Sequence, residues 1–487
     1  MLVPLSAGDA GRLRDFFTGA HFTHEHFRNN PSLRELPGRR GNLASLLELT
    51  HEASTLNMLL RWFFLGVPQE MKAAAEFLPQ PVLEIMLNAG LLRQEGDRLT
   101  ANVLMTPCDD YLFVADTASR MQSEHSADVV LWPNPTTRLL QQFAIHTPCR
   151  NTLDLGTGCG IIGILAASYS ECVCATDLNP RAEQFVVFNA HLNGVHNIEY
   201  RNGDTFEPVK GRKFDSILAN PPFFVSPSGD QLYCENEMEL DQYCRRVVRE
   251  AASHLNEGGY FQAVLEWVQI RGEVWQERLA GWLEGTQCDA WILRGYARDA
   301  ANYAQQRIRE TWPHLTSSAK FEEWMAYYRA RGVEEVHGGL LAMRRRSGKN
   351  WLRIEEMPTD AMEPFGETVL EVFATQDILS SDPSNEELLG MKPRLSPHAQ
   401  LEQKSRASGG VWTPTSLVLR LTGGVPASQA VEREVANFLG RCDGTQTLEE
   451  LARQLSTQAS ATPEQVRQQC CAVVRQLAQQ RFLQLAR

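Results

Sequence analysis

The sequence has no apolar run near the ~20 residues needed to span a bilayer and no excess of positive charge. Forty-seven lysines and arginines against fifty-nine aspartates and glutamates give a net charge of -12, so no field of the whole chain draws it to phosphate backbones. Zinc-type cysteine spacing is also missing. Eleven cysteines are scattered, with Cys172-x-Cys174 and Cys470-Cys471 the nearest to a pattern, and an odd total excludes a fully paired disulfide framework. The opening Met1-Leu2-Val3-Pro4 sets no basic stretch before an apolar one, and no fixed-period repeat is found. These absences predict a cytoplasmic chain with reduced thiols and no membrane contact. The 487 residues, 43% hydrophobic and 22% charged, have the composition of a globular protein of about three domains.

Apolar residues recur at helical spacing over residues 43–64, with Gly66 and Pro68 as a stop. Further helices are predicted over 69–77 and 81–89, and two short strands flank the turn Glu95-Gly96-Asp97. Helices followed by a hairpin predict a winged-helix module in a domain over 1–115. From residue 152 onward apolar runs alternate with helical segments: 152–155, 173–176, 198–201, 216–219 and 261–265, with further strands at 288–293 and 340–343. That alternation predicts an α/β domain with a seven-stranded Rossmann-like sheet over 116–346. A helical insertion at about 299–331, rich in aromatics such as Tyr303, Trp312, Trp324 and Tyr328, is placed to cover a pocket. Prolines and serines predict an extended connector over 347–410, and helical patterns return in a winged-helix-like domain over 411–487, one helix capped by Thr447 with Glu450 three residues on.

Asp154-Leu-Gly156-Thr157-Gly158-Cys-Gly160 follows a predicted strand and opens a helix, the context a nucleotide-binding glycine loop requires. Asp177 ends the next apolar run, 21 residues past Gly156, where a carboxylate can accept both ribose hydroxyls of an adenosyl ligand. Asp204, before Thr205, sits after a third short strand within reach of an adenine amino group. At this point a dehydrogenase remains open. Asn220-Pro221-Pro222-Phe223 decides, because it leaves a buried strand at the carboxyl edge of the sheet, where ligands of open α/β folds bind.

An amide or aniline-like NH2 has a delocalised lone pair and attacks a methyl sulfonium poorly unless it is oriented and its protons are held. The Asn220 side-chain oxygen and the Pro221 carbonyl suit that task, the prolines stiffen the turn, and Phe223 is placed to stack on a planar acceptor. No metal is called for. Through Asp154–Gly160, Asp177-Leu178-Asn-Pro-Arg-Ala182, Asn189-Ala-His-Leu-Asn-Gly194 and Asn220-Pro-Pro-Phe223 the chain resembles Rossmann-like S-adenosylmethionine-dependent N-methyltransferases. The branch is the one holding protein-glutamine N5-methyltransferases and ribosomal RNA guanine-N2 enzymes. The resemblance covers roughly residues 128–344. It implies S-adenosyl-L-methionine as cofactor, held by Asp154, Gly156, Thr157, Gly158, Gly160, Asp177, Leu178, Asp204, Thr205 and Asn220. It implies an acceptor nitrogen gripped by Asn220, Pro221, Pro222 and Phe223. Glutamine enzymes acting on release factors usually carry tyrosine where Phe223 stands, and nothing like this tail.

The acceptor expected is a planar nitrogen of a macromolecule, a protein glutamine ahead of an exocyclic amine of RNA or DNA, with a small metabolite as a further alternative. The acidic charge and the lack of an aromatic-basic patch set that order. The terminal domains are candidates for docking a target or pairing two copies of the chain. His21, His24 and His26 have no matching cysteine or aspartate cluster for a metal, and a polar turn explains them. Arg344-Arg345-Arg346, followed by Lys349, reads as a solvated strand end or as a contact for an anionic substrate.

Overall fold

A computed structural model of the chain describes residues 1–33, 43–121, 127–312, 318–358, 364–457 and 461–486. The chain divides into two compact units, one of residues 1–141 and 147–355, the other of 142–146 and 356–487.

The first unit is built on one mixed sheet of eight strands. From one edge the order runs Ile198–Asn202, Ser170–Asp177, Cys149–Leu155, Phe214–Ala219, Leu255–Ile270, Val333–Arg345, Cys288–Asp299 and Leu352–Glu356. The seven expected strands are present, and an eighth, Leu352–Glu356, lies where a connector was predicted. Buried Asp289 makes that strand possible, because its carboxylate accepts from the Trp351 N–H and the Asn350 side chain and draws the chain back to the sheet edge. Chain order reverses between Cys149–Leu155 and Phe214–Ala219, so a crevice opens at the carboxyl ends of those two strands. Leu155 pairs with both Ala219 and Thr176. This register brings the residues that follow, Gly156, Asn220 and Asp177, to the same rim.

Ahead of the sheet the predicted helix over 43–64 is two helices, Leu43–Leu49 and Thr55–Phe63. The break is chemical: the Thr50 hydroxyl turns back onto the Leu46 carbonyl, and Ser54 caps the second helix by accepting from the Asn57 N–H. A strand Gln69–Glu70, helices Met71–Phe77 and Gln80–Asn88, and the hairpin of Leu92–Glu95 with Arg98–Ala101 follow, the last strand lying between the other two. Fully buried Asn189, on helix Ala182–Asn193, both donates to and accepts from the Val114 backbone and donates to the Cys159 carbonyl, tying strand Tyr111–Ala115 to the glycine loop.

In the second unit, the segment expected as an extended connector holds helices Gly366–Leu379 and Asn385–Leu389 and strand Lys392–Leu395, which pairs with Leu483–Ala486. The boundary placed at 410/411 falls inside a hairpin, Ala399–Ser408 with Val411–Leu421, turned by Gly409 and Gly410 at positive φ. Helices Arg433–Leu439, Leu448–Ser456 and Pro463–Gln479 pack on a core including Leu388, Phe438, Leu451, Val474 and Phe482. Thr447 and Glu450 form the predicted reciprocal cap. All eleven cysteines are free, nine of them buried.

Candidate active site

At the crevice lies a cleft of about 470 Å³, walled by the ends of the central strands and by residues 220–240, a stretch without helix or strand. Gly156, Gly158 and Gly160 all have positive φ, and a Cβ on Gly160 would lie 3.3 Å from the Val186 backbone. Only glycine meets that combination without strain. Asp154 is buried, accepting from the Thr157 hydroxyl at 2.6 Å and the Gly163 N–H at 2.8 Å. Burial pushes its carboxyl up to about 6, against the pull of those two donors. Asp154 therefore braces the loop and the helix after it, and touches the cleft through the frame it holds.

Asp177 sits at the rim with Oδ2 accepting from the Gly158 N–H and Oδ1 from the Asn179 N–H, both at 2.8 Å. Burial raises its carboxyl above the usual range, while the Asn179 and Gly158 N–H groups oppose the rise. Asp177 can brace this turn and still meet a ligand, since each oxygen keeps a lone pair after its backbone bond. Leu178 is 53% exposed beside it, an apolar side chain open to the cleft. The turn is locked from behind: Arg181 grips Asp116 with two bonds of 2.7 Å, and Asn179 donates to the Asp128 carbonyl.

Asp204 pairs at 2.9 Å with Arg246, which also donates to the Thr205 hydroxyl and to Glu250. Thr205 holds φ +47, a left-handed conformation that a β-branched residue adopts only under constraint. Tyr243 completes this end, its hydroxyl pKa raised by burial and then by the nearby Asp204. Neither Tyr243 nor Arg246 was singled out in the sequence. They stand on helix Gln242–His254, where an amphipathic pattern accounts for them equally well.

Asn220 lines the opposite wall. Its Nδ2 donates to the Thr137 hydroxyl at 3.3 Å, and Thr137 in turn donates to Asn134 at 3.0 Å, leaving the Asn220 Oδ1 for a ligand. Asn134-Pro135 opens a helix, with Asn134 also accepting from the Thr137 N–H, and only the fold brings Thr137 to Asn220. Pro221 is buried, and the Pro222 carbonyl accepts from Asn236 at 2.9 Å. Phe223 corrects an expectation: the ring is 7% exposed, packs tilted on Phe224 at 5.7 Å, and is not among the described residues that wall the cleft. Trp132, Tyr233 and Met238 supply apolar and aromatic surface in its stead.

The aromatic insertion, helices Ala300–Thr311 and Ser318–Arg331, braces the acceptor loop from outside the cleft. The Tyr303 hydroxyl donates to buried Glu266 and accepts from the Val225 N–H, Tyr328 donates to the Val225 carbonyl at 2.6 Å, and Tyr327 accepts from the Leu240 N–H at 2.8 Å. Arg344 and Arg346 both bind Asp289, and Arg345 donates to the Ala252 and Thr286 carbonyls. Those arginines hold the sheet edge together. His24 accepts from the Asp109 N–H at 2.7 Å, and among the described residues no histidine, cysteine and carboxylate group gathers at metal-binding distances.

Residues 133–277 match the family model of the Methyltransferase small domain, and residues 38–102 match a domain of unknown function, DUF7059. Among curated proteins, the chain is similar to a release factor glutamine methyltransferase of Aliivibrio fischeri, 38% identical over 99 residues, which is 19% of this chain and 35% of that protein. The Aquifex aeolicus protein of the same name is 30% identical over 169 residues, 31% of this chain and 59% of its own length. The Deinococcus radiodurans one is 27% identical over 248 residues, 45% and 86% of the two lengths. The chain thus spans less than two thirds of the length of the first two. A solved ribosomal protein L11 methylase from Lactobacillus delbrueckii subsp. bulgaricus aligns with 20% identity and a TM-score of 0.26 over 43% of this chain and 78% of that one. The residues Asp154, Asp177, Asp204 and Asn220 thus all lie within the segment that matches the Methyltransferase small domain model.

Proposed function

We propose that the chain is an S-adenosylmethionine-dependent N-methyltransferase acting on a planar amide or amine nitrogen, with a protein glutamine side chain as the favoured acceptor. The observation that carries this is the shared rim: paired strand ends hold the glycine loop and Asp177 on one side of a single cleft and the Asn220 oxygen on the other. The cleft volume falls within the roughly 300–1,000 Å³ of small-molecule sites. Positive-φ glycines allow close backbone approach, Asp177 retains lone pairs for ribose hydroxyls, and Leu178 offers an apolar face for adenine. Asp204, Thr205 and Tyr243 close that end. These residues fit the cofactor, which when bound supplies an electrophilic methyl group on sulfur.

Asn220 orients the acceptor by accepting a hydrogen bond from one of its N–H groups, with Thr137 and Asn134 fixing the amide so that oxygen faces the cleft. The Pro221 carbonyl is the candidate to accept a hydrogen bond from the second N–H, whose hydrogen the nitrogen gives up on methylation. Glutamine is favoured because the curated relatives are named for it, and because Arg344 and Arg346, the basic run that an RNA substrate would use, are committed to Asp289. We assign the protein to the cytoplasm on its free thiols; among the described residues no helix is long and apolar enough to cross a membrane. The helix, strand, helix, helix and hairpin of residues 55–101 have the order of a winged helix, a module suited to docking a macromolecular target or a second copy of the chain.

Tritiated methyl from S-adenosylmethionine, offered with purified bacterial release factor, total RNA and a small-molecule extract, tests the reading. Label on a release-factor glutamine supports it; label on RNA alone or in the extract alone contradicts it.

A further inference from the structure

Glu235 is 2% exposed, yet it helps to wall the cleft that holds Asn220. Its position is fixed by two bonds that bracket it: the Phe224 N–H donates to the Cys234 carbonyl at 2.9 Å, and the Asn236 side chain donates to the Pro222 carbonyl at 2.9 Å. The backbone on either side of Glu235 is thereby strapped to the turn that follows Asn220. Oε2 accepts from the Gln231 N–H at 3.1 Å, while Oε1 has no hydrogen-bond partner among the described residues. A buried carboxylate oxygen left in that state is costly, and a catalytic role is one reason for a site to keep it.

We propose that Glu235 is the proton acceptor of the methyl-transfer step, receiving at Oε1 the hydrogen that the acceptor nitrogen must lose. The inference rests on the N-methyl-transfer reading above. As the nitrogen–carbon bond forms and the carbon–sulfur bond breaks, sulfur leaves as a neutral thioether. The nitrogen, now with four bonds and a positive charge, passes one proton to Glu235. A methylated amide nitrogen of that kind is a strong acid, and a carboxylate beside it takes the proton more readily than water does. On product release the proton returns to solvent.

The groups around Glu235 agree with this role. Burial pushes its carboxyl up to about 7, opposed by the Gln231 N–H, with the Asp230 carboxylate raising it further and the Lys320 ammonium and the Ser226 hydroxyl lowering it. Lys320 stands 3.7 Å from Asp230 and 3.4 Å from Glu323, and so divides its charge among three acids. Cys234, Tyr233 and Tyr328 are the other titratable neighbours, their own pKa values raised by burial, and they remain neutral at physiological pH. A base with this value is ionised just above neutral pH and holds a proton long enough to carry it.

The test compares full-length wild-type and Glu235→Gln chains with tritiated S-adenosylmethionine, using a release factor and a glutamine peptide as probes, from about pH 5.5 to about 8.5. The wild-type rate should rise with pH and level off above about 7, while the variant is slower by about 10²-fold and lacks that limb. Cofactor affinity by calorimetry should agree within about twofold. A variant that keeps the wild-type rate and limb, or that loses cofactor binding in step with rate, overturns the proposal. The second readout needs no acceptor: the carboxylic-acid carbonyl band that Glu235→Gln removes from the infrared spectrum should titrate near neutral pH. If neither probe takes label the methyl-transfer reading fails, and the band alone decides Glu235. A group ionised down to about pH 5 overturns its assignment.

Discussion

On the glycine-loop side of the cleft the backbone makes most of its own frame. Asp154 holds Thr157 and Gly163, Asp177 holds Gly158 and Asn179, and the partners lie within about twenty residues of one another. On the acceptor side, residues 220–240 have no regular structure, and bonds within the stretch are joined by several from far along the chain: Thr137 to Asn220, Tyr303 and Tyr328 to Val225, Tyr327 to Leu240. A local frame tolerates little substitution within itself and draws on distant parts of the chain only at its back, through Arg181, Asn179 and Asn189. A distant frame lets the acceptor loop change while the cofactor end stays fixed, which suits a domain reused for different substrates.

Substitutions on the two sides should therefore separate cleanly. Asp177→Ala removes hydrogen bonds each worth about 1–3 kcal/mol, and S-adenosylmethionine affinity should drop roughly tenfold to a hundredfold by calorimetry, with the acceptor KM little changed. Tyr303→Phe strips the Val225 N–H and Glu266 of a shared partner in a buried site; we expect about 1–3 kcal/mol less stability in denaturant unfolding, and a weaker acceptor KM at constant cofactor affinity. Thr137→Val leaves Asn220 able to rotate, and turnover should fall about tenfold, roughly the worth of one hydrogen bond, without loss of stability beyond that amount. Arg246→Ala frees Asp204 at a half-exposed site, so cofactor affinity should move by no more than about fivefold, a shift that shrinks as salt rises. An equal effect of Tyr303→Phe on both ligands would erase the division.

The same difference explains what the sequence disclosed. Strand, glycine loop, Asp177 and Asn220-Pro-Pro-Phe223 were legible because each is a short-range pattern attached to a strand end, and the strand register then brings them together. Thr137, Asn236, Glu235 and Tyr243 were hidden, since their neighbours in sequence give no hint of their neighbours in space. Phe223 misled for a related reason: motif position suggested a stacking face, whereas packing on Phe224 turns the ring into the protein. Residues 347–410 misled through composition. Their prolines and serines cap and interrupt short elements, as Ser384 does in front of helix Asn385–Leu389, where an extended connector was expected. The arginine run at 344–346 looked solvated because Asp289, its partner, stands 55 residues away.

The central claim is that one cleft has a cofactor half and an acceptor half, with Asn220 belonging to the second. Asn220→Ala tests it most directly, by calorimetric S-adenosylmethionine affinity and methyl-transfer rate measured on the same preparation. Affinity within about twofold of wild type, with a rate reduced by at least about 10²-fold, is the predicted result. Retention of the wild-type rate, or a loss of cofactor affinity as large as that in Asp177→Ala, would contradict it.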